Sequence, residues 1–384
     1  MAFCEQNILN DIIKCALSGK PPARDDLQYL LNLTDKQDID LLFGAARTMR
    51  RRFFGNRVFL YGFVLFSTYC RNDCIFCHYR TSNRELARYR KDLGEIVEAA
   101  RYLAESGVHL IDLTMGEDPA FYRNGDQGFT ELTAAVKAIK KETGLPVMVS
   151  PGAVPDHVLE ILAKAGADWL ACYQETHSRS LFEWLRPRRD YDKRLRTKQR
   201  AKALGMLIEE GILAGVGDSI EDAADSMVEM AKLEADQVRV MTFVPQEGTP
   251  LAHLPAPGSE RELLTIAALR LAFPDRLIPA SLDVEGLAGL GPRLMAGANV
   301  VTSLVPPGDA WAGVAHCRLD IDEQRRTVRA TLPVLESCGL KAADSQDYRK
   351  WMDERRKVSQ MSSTGNRLYS AISRECETPG ITTG

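Results

Sequence analysis

The chain has 384 residues, 45% of them hydrophobic and 26% charged, the proportions of an ordinary soluble globular protein. Its 49 basic and 52 acidic residues leave a formal charge of −3, which gives no electrostatic argument for nucleic acid or an anionic membrane as a partner. The longest apolar run, Val58 to Phe66, falls far short of the roughly 20 residues a membrane span needs, and MAFCEQNILNDIIKC lacks a signal-peptide pattern, so a cytoplasmic protein is expected.

Residues 1–50 read as an N-terminal helical extension, with Ile8, Leu9, Ile12 and Ile13 in one stripe and Leu41, Leu42 and Ala45 in another. From Val58 the pattern changes to short apolar runs at 58–66, 108–114, 146–150, 168–174, 211–216, 237–244, 277–282 and 299–305. Helical stretches such as GEIVEAARYLAESG and SIEDAADSMVEMAKL separate them, several closing at a glycine (Gly107, Gly144, Gly166). Eight near-continuous apolar strands separated by helices predict an α/β fold, a (βα)8 TIM-type barrel over residues 51–345. A doubly wound open sheet is the rival, disfavoured by strand count and even spacing. Residues 346–384 turn polar and read as a helical or partly disordered C-terminal tail.

Nine cysteines stand at positions 4, 15, 70, 74, 77, 172, 317, 338 and 376. The odd count and the chain length argue against a disulfide framework. Cys70, Cys74 and Cys77 form C-x3-C-x2-C in the loop after the first strand, where three thiolates can wrap one side of a compact metal centre. A structural zinc site wants four ligands, and His78, directly beside Cys77, is awkwardly placed as the fourth. Unligated cysteines are the plain alternative. An iron–sulfur cluster with one open iron suits the spacing.

The string CRNDCIFC, with Phe76 before the third cysteine, resembles the signature of the radical S-adenosylmethionine (SAM) enzymes. The resemblance implies a [4Fe-4S] cluster on Cys70, Cys74 and Cys77, whose open iron binds SAM and whose electron cleaves it to a 5′-deoxyadenosyl radical. HLIDLTMGEDP, GLPVMVSPG, YQET, VRVMTFVPQEGTPL and LIPASLD, in order within roughly residues 50–340, resemble the methylornithine synthase family of pyrrolysine biosynthesis. That resemblance implies an isomerase acting on L-lysine to give (3R)-3-methyl-D-ornithine, with flavodoxin or ferredoxin as reductant. Its lysine radical would fragment to a glycyl radical and an aminobutene that rejoin at the other alkene carbon, and no acid–base residue is required. The alternatives are a radical SAM enzyme of the biotin synthase or hydrogenase maturase type, or a non-catalytic iron–sulfur redox sensor. His78 departs from the aromatic residue expected after the third cysteine.

The resemblance also implies a cofactor site. Gly116 and Glu117 would meet the SAM amino group, Phe76 the adenine, Glu175 the ribose, Arg194 the carboxylate, and the main chain near Val244 the nucleoside. Lysine carries one carboxylate and two ammonium groups, so its pocket needs a fixed cation and several acids. Asp112 lies in an apolar strand, sharing a face with Leu110 and Thr114 by period two. Arg239 interrupts VRVMTF, and Ser281 and Asp283, spaced i, i+2, are expected to point the same way. Arg239 is therefore expected to hold the α-carboxylate and Asp112 and Asp283 the ammonium groups, with Ser281 assisting. Ser150, Thr302 and Ser303, at strand ends, are further candidates. The competing reading is an internal Arg–Asp pair that only holds the barrel together.

Overall fold

The computed structural model describes residues 2–123, 128–308, 311–315 and 318–362. Three helices come first: α1 (Ala2–Leu17), α2 (Arg24–Leu31) and α3 (Lys36–Phe54). Parallel strands then follow, β1 (Arg57–Ser67), β2 (Leu110–Met115), β3 (Val147–Ser150), β4 (Trp169–Ala171), β5 (Leu207–Ala214), β6 (Gln237–Thr242), β7 (Pro279–Ser281) and β8 (Val300–Leu304). They pair in the order β6-β5-β4-β3-β2-β1-β8-β7, and a Gln237–Leu277 bridge brings β6 against the start of β7. The sheet thus curls into a nearly closed (βα)8 barrel, as the apolar runs predict.

Helices on the outside make the crossovers: α4 (Leu93–Glu105), α5 (Pro119–Arg123), α6 (Thr130–Thr143), α7 (Asp156–Ala165), α8 (Arg179–Leu185), α9 (Tyr191–Ala203), α10 (Ile220–Lys232), α11 (Glu260–Ala272) and α12 (Leu282–Met295). Local chemistry sets their ends. Asp92 with Glu95 and Ser219 with Asp222 form capping boxes at the starts of α4 and α10. Gly144 (φ 67°) and Gly166 (φ 97°) close α6 and α7 in the left-handed region. The helix α11 is buried nearly all round, because α1, α2 and α3 cover the side that it turns away from the barrel. The N-terminal helices therefore brace the region where the β6–β7 seam is thinnest.

Strand pleating divides the core. Along β1, Phe59, Tyr61, Phe63 and Leu65 enter the lumen, while Val58, Leu60, Val64 and Phe66 pack under the outer helices. The lower lumen is apolar: Phe59, Leu110, Met148, Trp169, Leu207 and Leu277 meet there.

Three features depart from the expected pattern. First, β5 begins at Leu207 rather than at 211, because Glu209 and Glu210 interrupt the apolar run that marks it. Second, β7 ends at Ser281, which caps α12; Asp283 lies in that helix, so the i, i+2 strand argument for Ser281 and Asp283 fails. Third, the chain after β8 ends in the helix allowed for beyond residue 345, but packed onto the barrel and not as a free tail. It forms α13 (Val328–Ser337), a short β9 (Lys341–Ala342) paired with β1, and α14 (Ser345–Ser362). Although α14 is polar on average, Tyr348 and Met352 are buried under the barrel, and Trp351 stacks on Trp169 with ring centroids 5.8 Å apart. Its Arg355 binds the buried carboxylate of Asp236 at 2.8 Å. Residues 363–384 lie outside the described residues, and among those described no helix is long and apolar enough to cross a membrane.

Candidate functional site

The cysteine loop leaves β1 at the C-terminal mouth of the barrel, where site-forming loops of this fold gather. It is tied on three sides. Arg71 N–H donates to the Glu117 carbonyl at 2.8 Å, Ile75 N–H to the Leu185 carbonyl at 2.9 Å, and Asn83 Nδ2 to the Glu247 carbonyl at 3.0 Å. Cys74 is buried and Cys70 and Cys77 are partly so. Burial raises the Cys70 thiol to about 11, with the charge of Cys74 adding to the rise. Burial also raises Cys77, as do Cys74 and Cys70. Cys70 and Cys77 thus both lie near Cys74 in a desolvated loop, but among the described residues no three Cys, His, Asp or Glu side chains stand close enough to hold a metal ion, so their assignment to a metal centre rests on the C-x3-C-x2-C spacing. The His78 ring packs edge-on to Tyr79, 5.6 Å away.

Gly116 is explained by this loop as much as by any ligand. A Cβ there would overlap the Tyr69 carbonyl oxygen and come 3.0 Å from the Cys70 Cβ. Gly116→Ala is therefore expected to displace Cys70 and to cost about 1–3 kcal/mol, as overpacking does. Iron bound per chain after anaerobic reconstitution, and the melting temperature, both fall; an unchanged iron content would refute the argument.

Glu175 and Arg194, expected at the ribose and the carboxylate of the cofactor, each have a protein partner of their own. Glu175, in the left-handed region at φ 69°, binds Arg186 Nη2 at 2.8 Å. Arg194 donates from Nε to the Tyr173 carbonyl at 2.5 Å and lies 3.6 Å from Glu117. Glu117 is held below its usual carboxylate range: burial opposes this, and Arg194 and Arg71 outweigh burial. Arg186, passed over in the sequence among several neighbouring arginines, is buried, 3.4 Å from Cys74 Sγ and 5.2 Å from the centre of the Phe76 ring. Val244 lies at the same mouth, its carbonyl taken by Gln246. A cavity of 280 Å³ opens beside Glu117 and Arg194.

Further down, the lumen carries a charged layer between apolar ones. Asp112 and Arg239 point inward, as the period-two argument expects, but they do not pair directly. Arg239 Nε binds Glu209 at 2.6 Å, and Tyr173 donates to the other Glu209 oxygen at 2.8 Å. Glu209 is fully buried, and an acid in MLIEEG gave no helical or strand signal of its own; only the neighbouring Arg239, in want of a counter-charge, pointed to it. Asp112 accepts from Thr114 at 2.7 Å, and burial, then Glu209, raises it to about 7. Asp283 is engaged elsewhere: Arg326 Nη1 binds it at 2.7 Å, Ser303 Oγ donates to it at 2.7 Å and Val314 N–H at 3.0 Å. Ser281 and Ser303 hydroxyls lie 3.3 Å apart, with Ser303 at φ 66°. The buried Thr302 hydroxyl has no partner among the described residues, and Ser150 ends β3 opposite Thr114. Arg326 was missed because it lies beyond the last strand, in a polar stretch.

The Radical SAM superfamily profile matches residues 64–267. The chain is 44% identical over 348 residues to 3-methylornithine synthase of Methanosarcina barkeri, which spans 91% of this chain and 97% of that protein. It is 45% identical over 332 residues to the Methanosarcina acetivorans 3-methylornithine synthase, covering 86% of this chain and 93% of that one. The crystal structure of methylornithine synthase (PylB) superposes with a TM-score of 0.83 at 42% identity, over 88% of this chain and 99% of the other. With the cysteine loop at the barrel mouth and the charged layer beneath it, the chain belongs to the radical SAM superfamily and, within it, to the 3-methylornithine synthase family.

Proposed function

We propose that the protein is a radical SAM isomerase that rearranges L-lysine to (3R)-3-methyl-D-ornithine. One observation carries the choice of substrate within the family. The lumen layer holds two arginines, Arg239 and Arg326, against three carboxylates, Asp112, Glu209 and Asp283. With Asp112 ionised the layer is one negative charge in excess, and lysine, with two ammonium groups and one carboxylate, supplies the matching positive charge.

Cys70, Cys74 and Cys77 would hold the [4Fe-4S] cluster; with SAM and an electron from a flavodoxin- or ferredoxin-type donor, it supplies the 5′-deoxyadenosyl radical that takes a hydrogen atom from lysine. Glu117 and Arg194 would receive the methionine end of SAM, with Gly116 allowing close approach. Glu175, Phe76 and the main chain at Val244 would receive the nucleoside. In the layer below, Glu209 takes Arg239 through Nε and Met241 Sδ lies 3.5 Å from Nη1, so Nη2 and the remaining Nη1 hydrogen are the donors for the α-carboxylate. Asp112 keeps its second oxygen for an ammonium group. Asp283, committed to Arg326, acts chiefly through Ser303 and Ser281, while Thr302 and Ser150 offer hydroxyls at the rim. A closed apolar floor keeps water out and the reacting fragments together.

The raised Asp112 carboxyl gives a sign to the pH dependence. The folded state favours the protonated form, so this group stabilises the fold fully below pH of about 4, and that contribution is lost as pH rises through about 7. Lysine binding needs the ionised form, so its KM is expected to fall as pH rises toward 7, by up to about tenfold per unit, and then to level. Asp112→Asn should weaken lysine binding and flatten this profile; a retained slope would assign it to another group.

The function itself is tested by anaerobic reconstitution with iron and sulfide, followed by reductant, SAM and L-lysine. Lysine-dependent methylornithine is the expected product. Absence of any deoxyadenosine would overturn the enzyme reading, and deoxyadenosine without methylornithine would overturn the substrate.

A further inference from the structure

Glu209 and Glu210 are neighbours on β5 and point to opposite faces of it, yet both are fully buried. Glu209 belongs to the lumen. Glu210 faces outward, into the layer under α9, where it meets an equally buried lysine. Lys198 Nζ binds Glu210 Oε2 and also donates to Gln174 Oε1 at 2.9 Å. The His177 ring lies 3.7 Å from the same carboxylate.

The other oxygen of Glu210 does something a plain ion pair does not need. Regular β4–β5 pairing stops at Ala171 opposite Glu209 and returns as one bridge, Glu175 opposite Ile212. Three residues on one side thus stand against two on the other, which is a bulge. Glu210 Oε1 fills the gap, accepting the Gln174 N–H at 2.7 Å and the Gly211 N–H at 2.8 Å. The bulge turns Tyr173 into the lumen, its ring 5.5 Å from the Arg239 guanidinium, while its carbonyl receives Arg194. Glu175 follows at once in its left-handed conformation.

We propose that the Lys198–Glu210 pair is a positioning pin for both halves of the active site: by fixing the 172–175 bulge it aims Tyr173 at the substrate layer and Glu175 at the cofactor. The proposal rests on the assignment of Glu175 to SAM and of Arg239 to lysine. A buried ion pair adds little net stability compared with apolar residues of similar volume. What leucine and methionine cannot replace is an acceptor for two buried N–H groups, which are costly to leave unsatisfied.

The test compares Glu210→Leu/Lys198→Met with Glu210→Gln/Lys198→Met. Both remove the charges, but only the second keeps an acceptor. Amide hydrogen exchange at 173–176 and 211 reads the bulge in the protein without ligands, and SAM affinity and lysine KM are measured on reconstituted protein. The Leu/Met variant should exchange faster there, bind SAM about tenfold more weakly and raise the lysine KM, as loss of one hydrogen bond to a charged group implies. The Gln/Met variant should recover most of each. Lys198→Met alone, which loses the Gln174 Oε1 contact, should show the same changes in part and serves if the Glu210→Leu change prevents folding. Equal exchange and equal SAM affinity in both double variants would overturn the pin. Failure of the unsubstituted protein to turn over lysine would sink the functional reading but not the exchange result.

Discussion

Arg239→Met is expected to abolish methylornithine formation from lysine and to cost the fold about 3–5 kcal/mol, the usual penalty for stripping a buried carboxylate of its partner. The carboxylate in question is Glu209, fully buried and bound to Arg239 at 2.6 Å. Glu209→Gln in the same chain should restore most of the stability, because the orphaned charge is then gone, yet it should restore no activity. Arg239→Lys should fold better than Met but bind lysine poorly, since an ammonium has no flat edge for a carboxylate. Urea unfolding, SAM binding and product formation separate these outcomes. SAM binding should survive in all three variants because Arg239 lies in the layer below the cofactor residues. Normal turnover by Arg239→Met would end its assignment to the substrate.

Ending the chain after Asp344 is expected to unfold the protein or leave an expanded barrel. The deletion exposes the apolar floor on which Tyr348, Trp351 and Met352 rest. Each of these side chains contributes about 2 kcal/mol by burial, and the total is comparable with the whole stability of a typical domain. It also strands Asp236, whose carboxylate Arg355 binds from below. The milder Trp351→Ala should cost about 3 kcal/mol and, by loosening the floor, raise the yield of deoxyadenosine formed without methylornithine. Denaturant midpoints and the ratio of the two products check both variants. A truncated chain of unchanged stability would mean that the helix merely rests on the barrel.

Much of this architecture was legible in the chain. The runs from Val58 to Val305 each overlap a strand, because a strand buried on both faces is largely apolar. Asp112 and Arg239 stood out for the same reason: a charge is conspicuous where neighbours allow none. The terminal helix was less legible. Tyr348, Trp351, Met352 and Arg355 keep helical spacing, but three exposed sides made the segment average polar. Only a stripe, not a composition, marks such a helix. The two acids of β5 misled in the opposite direction, hiding four residues of strand behind a polar pair.

The sequence by itself determined the strand and helix order, the three-cysteine loop and the inward direction of Asp112 and Arg239, since each rests on local spacing. Only the tertiary structure decided the partners. Arg239 meets Glu209, Asp283 meets Arg326, Glu175 meets Arg186 and Glu210 meets Lys198. Apart from the last two, these pairs join residues 30 or more positions apart. A buried charge states that it needs a partner; which one it takes depends on barrel closure and loop geometry, and neither has a local signature.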